Sequence, residues 1–332
     1  MPYNGVMRVA WSVLVMPLPL MAACSSVDPV EIVAVTFNTG TTEGLAHDDP
    51  PDDGYTSEQA TISDEHYGNG LAWLPAVAAA RGFFDETKPD LVAFQEIFWA
   101  GRCPEIPPDA HENFYCEQWS PGDPTVANAI LGEDYQVACQ LEKPDKCAAV
   151  RHDFGTFRGC DQDLCLDGLD GAPVEDCGGG SRIGRGVVDL VDGGTVTVVT
   201  VHGTSGLTVE DQDCRVRQFE QVFVDLDGAP AASGERNLVM GDFNIDPGRL
   251  DEEASAARLN DFAGEDKPFR FVSEVGLDAQ PTYAGLFNID HVLSDSFDGD
   301  CWAAGITEGH PPVLDAVYFD HVPIVCTVEP AP

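Results

Sequence analysis

Positive charge is scarce in this chain. Of 332 residues only 17 are Lys or Arg, against 57 Asp or Glu, which leaves a formal net charge of −40. Lys88, Lys143, Lys146 and Lys267 are the only lysines. So acidic a surface argues against broad, non-specific binding to nucleic acid or to an anionic membrane, and leaves room only for a local basic cleft. It fits high solubility or a saline, cation-rich medium. Long apolar runs are also missing. The run at 9–20 falls short of the roughly 20 residues that a bilayer-spanning helix needs and contains Pro17 and Pro19. No Cys-x-x-Cys pair occurs and no histidine stands at ligand spacing from a cysteine pair, which counts against zinc. The acidic stretch 41–67, with Asp48, Asp49, Asp52 and Asp53, lacks EF-hand spacing and apolar periodicity and reads as a surface loop. No repeat or long linker divides the rest, so one domain over 31–328 is the economical reading.

What is present begins with an export signal. Arg8 precedes the apolar run, and Met21-Ala22-Ala23-Cys24 follows it, so residues 1–23 read as a cleaved signal peptide. Small residues directly before a cysteine resemble the bacterial lipoprotein signal. That resemblance implies lipidation of Cys24, a tether over 24–30 and membrane attachment, with Ser25 favouring an outer membrane or the cell surface over an inner membrane. The ten other cysteines, at 103, 116, 139, 147, 160, 165, 177, 214, 301 and 326, are even in number and in an exported chain read as disulfides. Their pairing is not readable from the sequence.

A β-branched run at 31–38 reads as a strand ending on Asn38, a pattern with helical spacing covers 70–86, and a short buried strand at 90–94 delivers Gln95 and Glu96. Strand, helix and strand in succession predict a crossover unit in an α/β sheet. Residues 99–180 hold seven cysteines, many Gly and Pro and little periodicity beyond a short helix near 126–131. They read as a disulfide-stapled insertion. A hairpin at 186–201 closes on His202, an amphipathic helix spans 208–226, and a polar helix is expected at 249–262.

At 238–246 the chain reads Leu-Val-Met-Gly-Asp-Phe-Asn-Ile-Asp. This is an apolar strand that presents Asp242 and Asn244, which at i and i+2 leave the backbone on one side. Asn38, Glu96, His202, Asp242, Asn244, Asp290, Asp320 and His321 all sit at or beside short apolar runs, and polar strand ends in α/β sheets converge on one crevice. Carboxylates, amides and histidines without thiolates suit a hard divalent cation and a phosphoryl substrate.

In order and wording, Thr36-Phe37-Asn38, Gln95-Glu96, Val201-His202-Gly203, Gly241-Asp242-Phe243-Asn244, Ile289-Asp290-His291-Val292 and Phe319-Asp320-His321-Val322-Pro323 resemble the endonuclease/exonuclease/phosphatase superfamily. The resemblance implies a four-layered α/β sandwich with two central, mostly antiparallel sheets and a metal-dependent phosphoesterase that uses Mg²⁺, with Mn²⁺ or Ca²⁺ as substitutes. It implies that Asn38, Glu96 and Asp320 hold the metal and that Asp242 positions or deprotonates the attacking water. Asn244 would donate to the scissile phosphate, and His202 and His321 would flank it. Neighbouring side chains on a strand point to opposite faces, so Asp320 is badly placed to orient His321, and that task falls to Asp290. His291 should point away from the site. Arg151, Arg158, Arg182, Arg185, Arg215 and Arg217 are candidates to line a phosphate cleft. The expected partner is a phosphodiester, from nucleic acid or a lipid headgroup, and the expected state a monomer. A phosphomonoesterase on a small phosphate and an inactive binding lipoprotein on the same fold are the alternatives.

Overall fold

The computed structural model describes residues 1–2, 31–42 and 54–331. The expected signal, Cys24, its tether and the aspartates at 48–53 lie outside the described residues. The chain enters as β1 (Ile32–Asn38), then runs through α1 (Ser57–Ile62), a π-helical turn at Ser63–Tyr67, α2 (Leu74–Thr87) and β2 (Leu91–Gln95). After short 3₁₀ turns come α3 (Val126–Leu131), β3 (Tyr135–Gln140), β4 (Lys143–Arg151), β5 (Gly155–Phe157) and β6 (Leu164–Cys165). The second half holds β7 (Ile183–Leu190), β8 (Thr195–His202), α4 (Val209–Phe223), β9 (Asn237–Asp242), α5 (Ala254–Phe262) and β10 (Arg270–Phe271). It ends with β11 (Asp290–Ser294), β12 (Phe297–Ala303) and β13 (Ile324–Pro330).

Two sheets result. One has the order β12-β13-β1-β2-β4-β3-β6 and the other β10-β11-β9-β8-β7-β5. Only β1–β2, β3–β6 and β8–β9 pair in parallel, so both sheets are mostly antiparallel. Apolar residues on both faces of the central strands feed three cores. Ile32, Ala34, Leu91 and Ala148 meet Val198, Leu238, Met240 and Val292 between the sheets. Phe37, Val92 and Phe94 pack under α2 and α3, and Val199, Val239 and Leu293 under α4 and α5. Helix, sheet, sheet and helix make the four layers expected.

Two expectations need correction. The stretch 57–67 is helical, not loop. Thr56 and Gln59 form a reciprocal capping box at the start of α1, and Tyr55, Ala60 and Tyr67 are buried, anchors too widely spaced to register as a period. The stretch 99–180 is not simply an insertion either, because its strand β4 pairs with β2 and β3 pairs with β4. Those strands read weakly because Lys143, Pro144, Asp145 and Lys146 occupy the start of β4, while long-range pairing settles its conformation. Five disulfides link Cys103–Cys116, Cys139–Cys147, Cys160–Cys165, Cys177–Cys214 and Cys301–Cys326. Among the described residues no helix is long and apolar enough to cross a membrane.

Candidate active site

Register builds the site. Asp242, the last residue of β9, is directly paired with His202 on β8 and with Asp290 on β11. Paired residues point to the same face, so three polar side chains from adjacent strands project together. Gly241 permits the pairing, since a Cβ there would stand 1.9 Å from the Val201 carbonyl oxygen. Phe243 turns the other way, into the core beneath α4, where its ring meets Phe219 and His291. Asn244 adopts a left-handed φ of 52° and folds back, its backbone N–H donating to Asp242 Oδ1 at 2.7 Å.

The facing sheet supplies the opposite wall. Asn38, at the end of β1, donates from Nδ2 to Asp242 Oδ2 at 3.0 Å across the interface of the sheets. Glu96 follows β2 with a left-handed φ of 57° that aims its carboxylate into the cleft. Asp320 and His321 lie outside the strands, on a segment that forms isolated bridges, Thr41 to Phe319 and Tyr283 to His321, so the strand rule does not govern them and both line the cleft. His321 Nδ1 lies 2.8 Å from Asp290 Oδ2, and the Thr282 hydroxyl donates to the same oxygen at 2.7 Å. His321 Nε2 and His202 Nε2 each stand 3.8 Å from Asp242 Oδ2, and His202 Nε2 is also 3.4 Å from Glu96 Oε1. His291 faces away, its Nε2 against the Ile245 carbonyl at 3.2 Å. The resulting cleft encloses about 570 Å³ and gathers Asn38, Glu96, His202, Asp242, Asn244, Asp320 and His321, with Asp290 just behind His321.

No protein-family model matches the sequence, and no curated protein matches it. Solved structures do. An endonuclease/exonuclease/phosphatase family protein from Bacteroides thetaiotaomicron is similar over 91% of this chain and 95% of its own, with a TM-score of 0.50 at 12% identity. ANGEL2, a 2′,3′-cyclic phosphatase, is similar over 91% of this chain and 96% of its own, with a TM-score of 0.51 at 9% identity. The catalytic domain of human Nocturnin, solved with a bound sulfate anion, is similar over 91% of this chain and 95% of its own, with a TM-score of 0.50 at 12% identity. The chain has the endonuclease/exonuclease/phosphatase fold. At these identities the likeness establishes the architecture, and the chemistry has to be argued from the residues themselves.

Within this fold the two histidines are tuned apart. Burial disfavours the charged form of both. Around His321 the carboxylates of Asp290, Asp242 and Asp320 outweigh burial and lift it to about 10. Around His202 the cations Lys146 and Arg182 add to burial and push it well below its ordinary value. Asp242 is raised by burial against the pull of His321, and Glu96 is raised to about 7 by burial and by Asp320.

One spot suits a cation. A Cβ on Gly40 would stand 2.7 Å from Glu96 Oε2, 2.8 Å from Asp320 Oδ1 and 3.2 Å from Asn38 Oδ1, so three oxygens close on a space that only glycine leaves open. Among the described residues no group of three or more His, Cys, Asp or Glu is arranged to hold a metal ion. The cradle has two carboxylates and an amide oxygen, an all-oxygen set that fits a hard divalent ion completed by water or substrate oxygens.

The structure revises several expected contacts. Asn244 Nδ2 is engaged with the Gly203 carbonyl at 3.1 Å and Asp242 Oδ2 at 2.8 Å, so its amide fixes Asp242 rather than presenting itself to a phosphate. Arg151, Arg158 and Arg217 are ion-paired with Asp90, Asp189 and Asp213, while Arg215 is fully buried, holding the Thr204 and Gly206 carbonyls at 2.7 Å each. Arg185 lies along β7, and of the six arginines only Arg182 acts on His202. Sequence reading missed Gly40, Thr282, Tyr283 and Lys146. Gly40 carried a faint signal, two residues after Asn38. The Tyr283 ring, 4.8 Å from that of His321, carried none.

Proposed function

We propose that this chain is a divalent-cation-dependent phosphodiesterase whose attacking water is activated by Asp242. The observation that carries the reading is the convergence on one cleft of the Asp242 carboxylate, two oppositely tuned histidines and the three-oxygen cradle at Gly40. Asn38, Glu96 and Asp320 would hold the cation, with Mg²⁺ expected and Mn²⁺ or Ca²⁺ as substitutes. When bound it supplies charge to offset the negative phosphate oxygens. Asp242, held by donors from Asn38 and by both amides of Asn244, takes the proton from the attacking water, and its raised pKa makes it a base near neutral pH. His321, kept charged by Asp290, faces the phosphate and donates a proton to the leaving oxygen. His202, neutral, keeps its Nε2 for hydrogen bonding at the same phosphate. The fold is shared with ANGEL2, a 2′,3′-cyclic phosphatase, which agrees with this class of chemistry.

The test is a Mg²⁺-dependent activity panel of duplex DNA, RNA, sphingomyelin, phosphoinositides and bis-p-nitrophenyl phosphate. Turnover of at least one diester, lost in excess EDTA, is expected, and full activity in EDTA would remove the proposal. The five disulfides support export to an oxidising compartment. Acylation at Cys24 then predicts detergent partitioning that Cys24→Ser abolishes. Native protein recovered from the medium with an unmodified N-terminus beyond Cys24 would show an ordinary secretory signal instead.

A further inference from the structure

The cleft continues past Glu96. A smaller cavity of about 220 Å³ shares Gly68 and Glu96 with it and is lined by Trp99, Arg102, Lys143 and Asp145. Its charge runs against the composition of the chain. Eight arginines and Lys146 hold a carboxylate. Arg102 and Lys143 hold none among the described residues, as is also true of Lys88, Arg182, Arg185, Arg236 and Lys267, but these two share one cavity wall. The acid on this wall, Asp145, is neutralised by Lys146, whose Nζ lies 2.8 Å from Asp145 Oδ2. Two cations without a direct carboxylate pair, Lys143 acting on Asp145 only at longer range, therefore stand together on a wall continuous with the cleft of Glu96 and Asp320.

The wall is also preorganised. Ile97 N–H donates to the Asp145 carbonyl at 3.0 Å, tying the segment after Glu96 to β4, and the Cys103–Cys116 disulfide pins the turn that carries Arg102. The half-buried Trp99 indole lies on Gly101, where a Cβ would stand 2.4 Å from the ring, and so forms a fixed flat surface in the groove. Lysine and arginine beside an aromatic face are the elements that hold a phosphate and a ring attached to it.

We propose that this groove is a subsite for a second phosphate of the substrate, held by Lys143 and Arg102 with its attached ring against Trp99. It selects diesters bearing a further phosphate over zwitterionic or singly charged ones. The inference rests on the phosphodiesterase reading and assigns that site its substrate class. The second phosphate has two sources, an oligonucleotide or a phosphorylated inositol headgroup.

The experiment measures kcat/KM with Mg²⁺ for dithymidine monophosphate carrying no further phosphate, one at the 5′ end or one at the 3′ end. Glycerophosphoinositol and its 4,5-bisphosphate are measured in parallel. The wild-type protein should prefer the more phosphorylated member of one series by about tenfold or more, the size of a charge-assisted phosphate contact. The series showing the preference identifies the source. In the Lys143→Gln/Arg102→Gln double variant the ratio should fall close to one, whatever happens to each rate. No preference in either series, or a preference the double variant keeps, overturns the subsite. Calorimetric binding of the same compounds to Asp242→Asn, with and without the two wall substitutions, separates the two failures. If the wild type hydrolyses nothing, the phosphodiesterase reading falls, and the affinity difference in the Asp242→Asn background still decides the subsite.

Discussion

His202 and His321 occupy mirrored places in one cleft. Both are almost buried, at 6% and 5% exposure, and both put Nε2 3.8 Å from the same Asp242 oxygen. Their pKa values nevertheless shift in opposite directions, because the ground behind them differs. Behind His321 stands Asp290, itself gripped by Thr282. Behind His202 stand Lys146 and Arg182, and its Nδ1 has no hydrogen-bond partner among the described residues. The comparison teaches that residue type and burial do not assign an acid or a base. The charge of the neighbours one layer back does.

The largest effect should come from the residue both histidines share. Asp242→Asn keeps the shape of the side chain, leaves folding intact and removes the base, so kcat should fall by about a hundredfold or more. Turnover like that of the wild type would discard Asp242 as the base. Next in size is Asp290→Asn, which strips His321 of its main support and touches His202 little. A loss of roughly tenfold in kcat is expected. In parallel, NMR titration of the cation-free protein should show His321 dropping from about 10 toward the ordinary histidine range, with a smaller upward move of His202 as the charge on His321 is lost. A His321 titration that does not move would break the comparison.

On the other side, Lys146→Gln removes the buried cation behind His202. The His202 pKa then rises toward its usual value, which NMR titration of the cation-free protein should show, with only about a threefold loss of kcat/KM at pH 7. An unshifted His202 titration would show that Lys146 is only structural. The smallest effect is on stability. Glu96, raised to about 7, favours the fold below its ordinary pKa, and that contribution is lost as pH climbs from about 4.5 through about 7. A cation at the Gly40 cradle offsets the loss, so addition of about 5 mM Mg²⁺ should raise Tm by a few degrees at pH 8 and by less at pH 5. An equal rise at both pH values would place the cation away from Glu96.

Much of this molecule could be read in advance, for local reasons. The runs ending at Asn38, Gln95, His202 and Asp242 each show apolar residues stopping at a polar one, and those positions are where β1, β2, β8 and β9 stop. The helix at 74–87 and the one at 209–223 were legible from their spacing. Strand β4 was not, because a start of Lys-Pro-Asp-Lys hides a strand that only its neighbours β2 and β3 hold in place. Nor was the way Asp320 and His321 both face the cleft, since the isolated bridges that turn that segment come from Thr41 and Tyr283.

The four layers were implied by the resemblance of its motifs to a known family; by itself the sequence determined the α/β class, the polar residues at its strand ends and the even set of cysteines. These follow from periodicity, composition and residue order, which are properties of short stretches of chain. Only the tertiary structure decided which cysteines pair, which histidine carries charge and where three oxygens surround Gly40. Each of those depends on groups far apart along the chain. Asn38 and Asp242, 204 residues apart, share a hydrogen bond, and His321 owes its charge to Asp290, 31 residues away. Electrostatics and close packing act through distance in space, and that distance exists only once the two sheets have closed on each other.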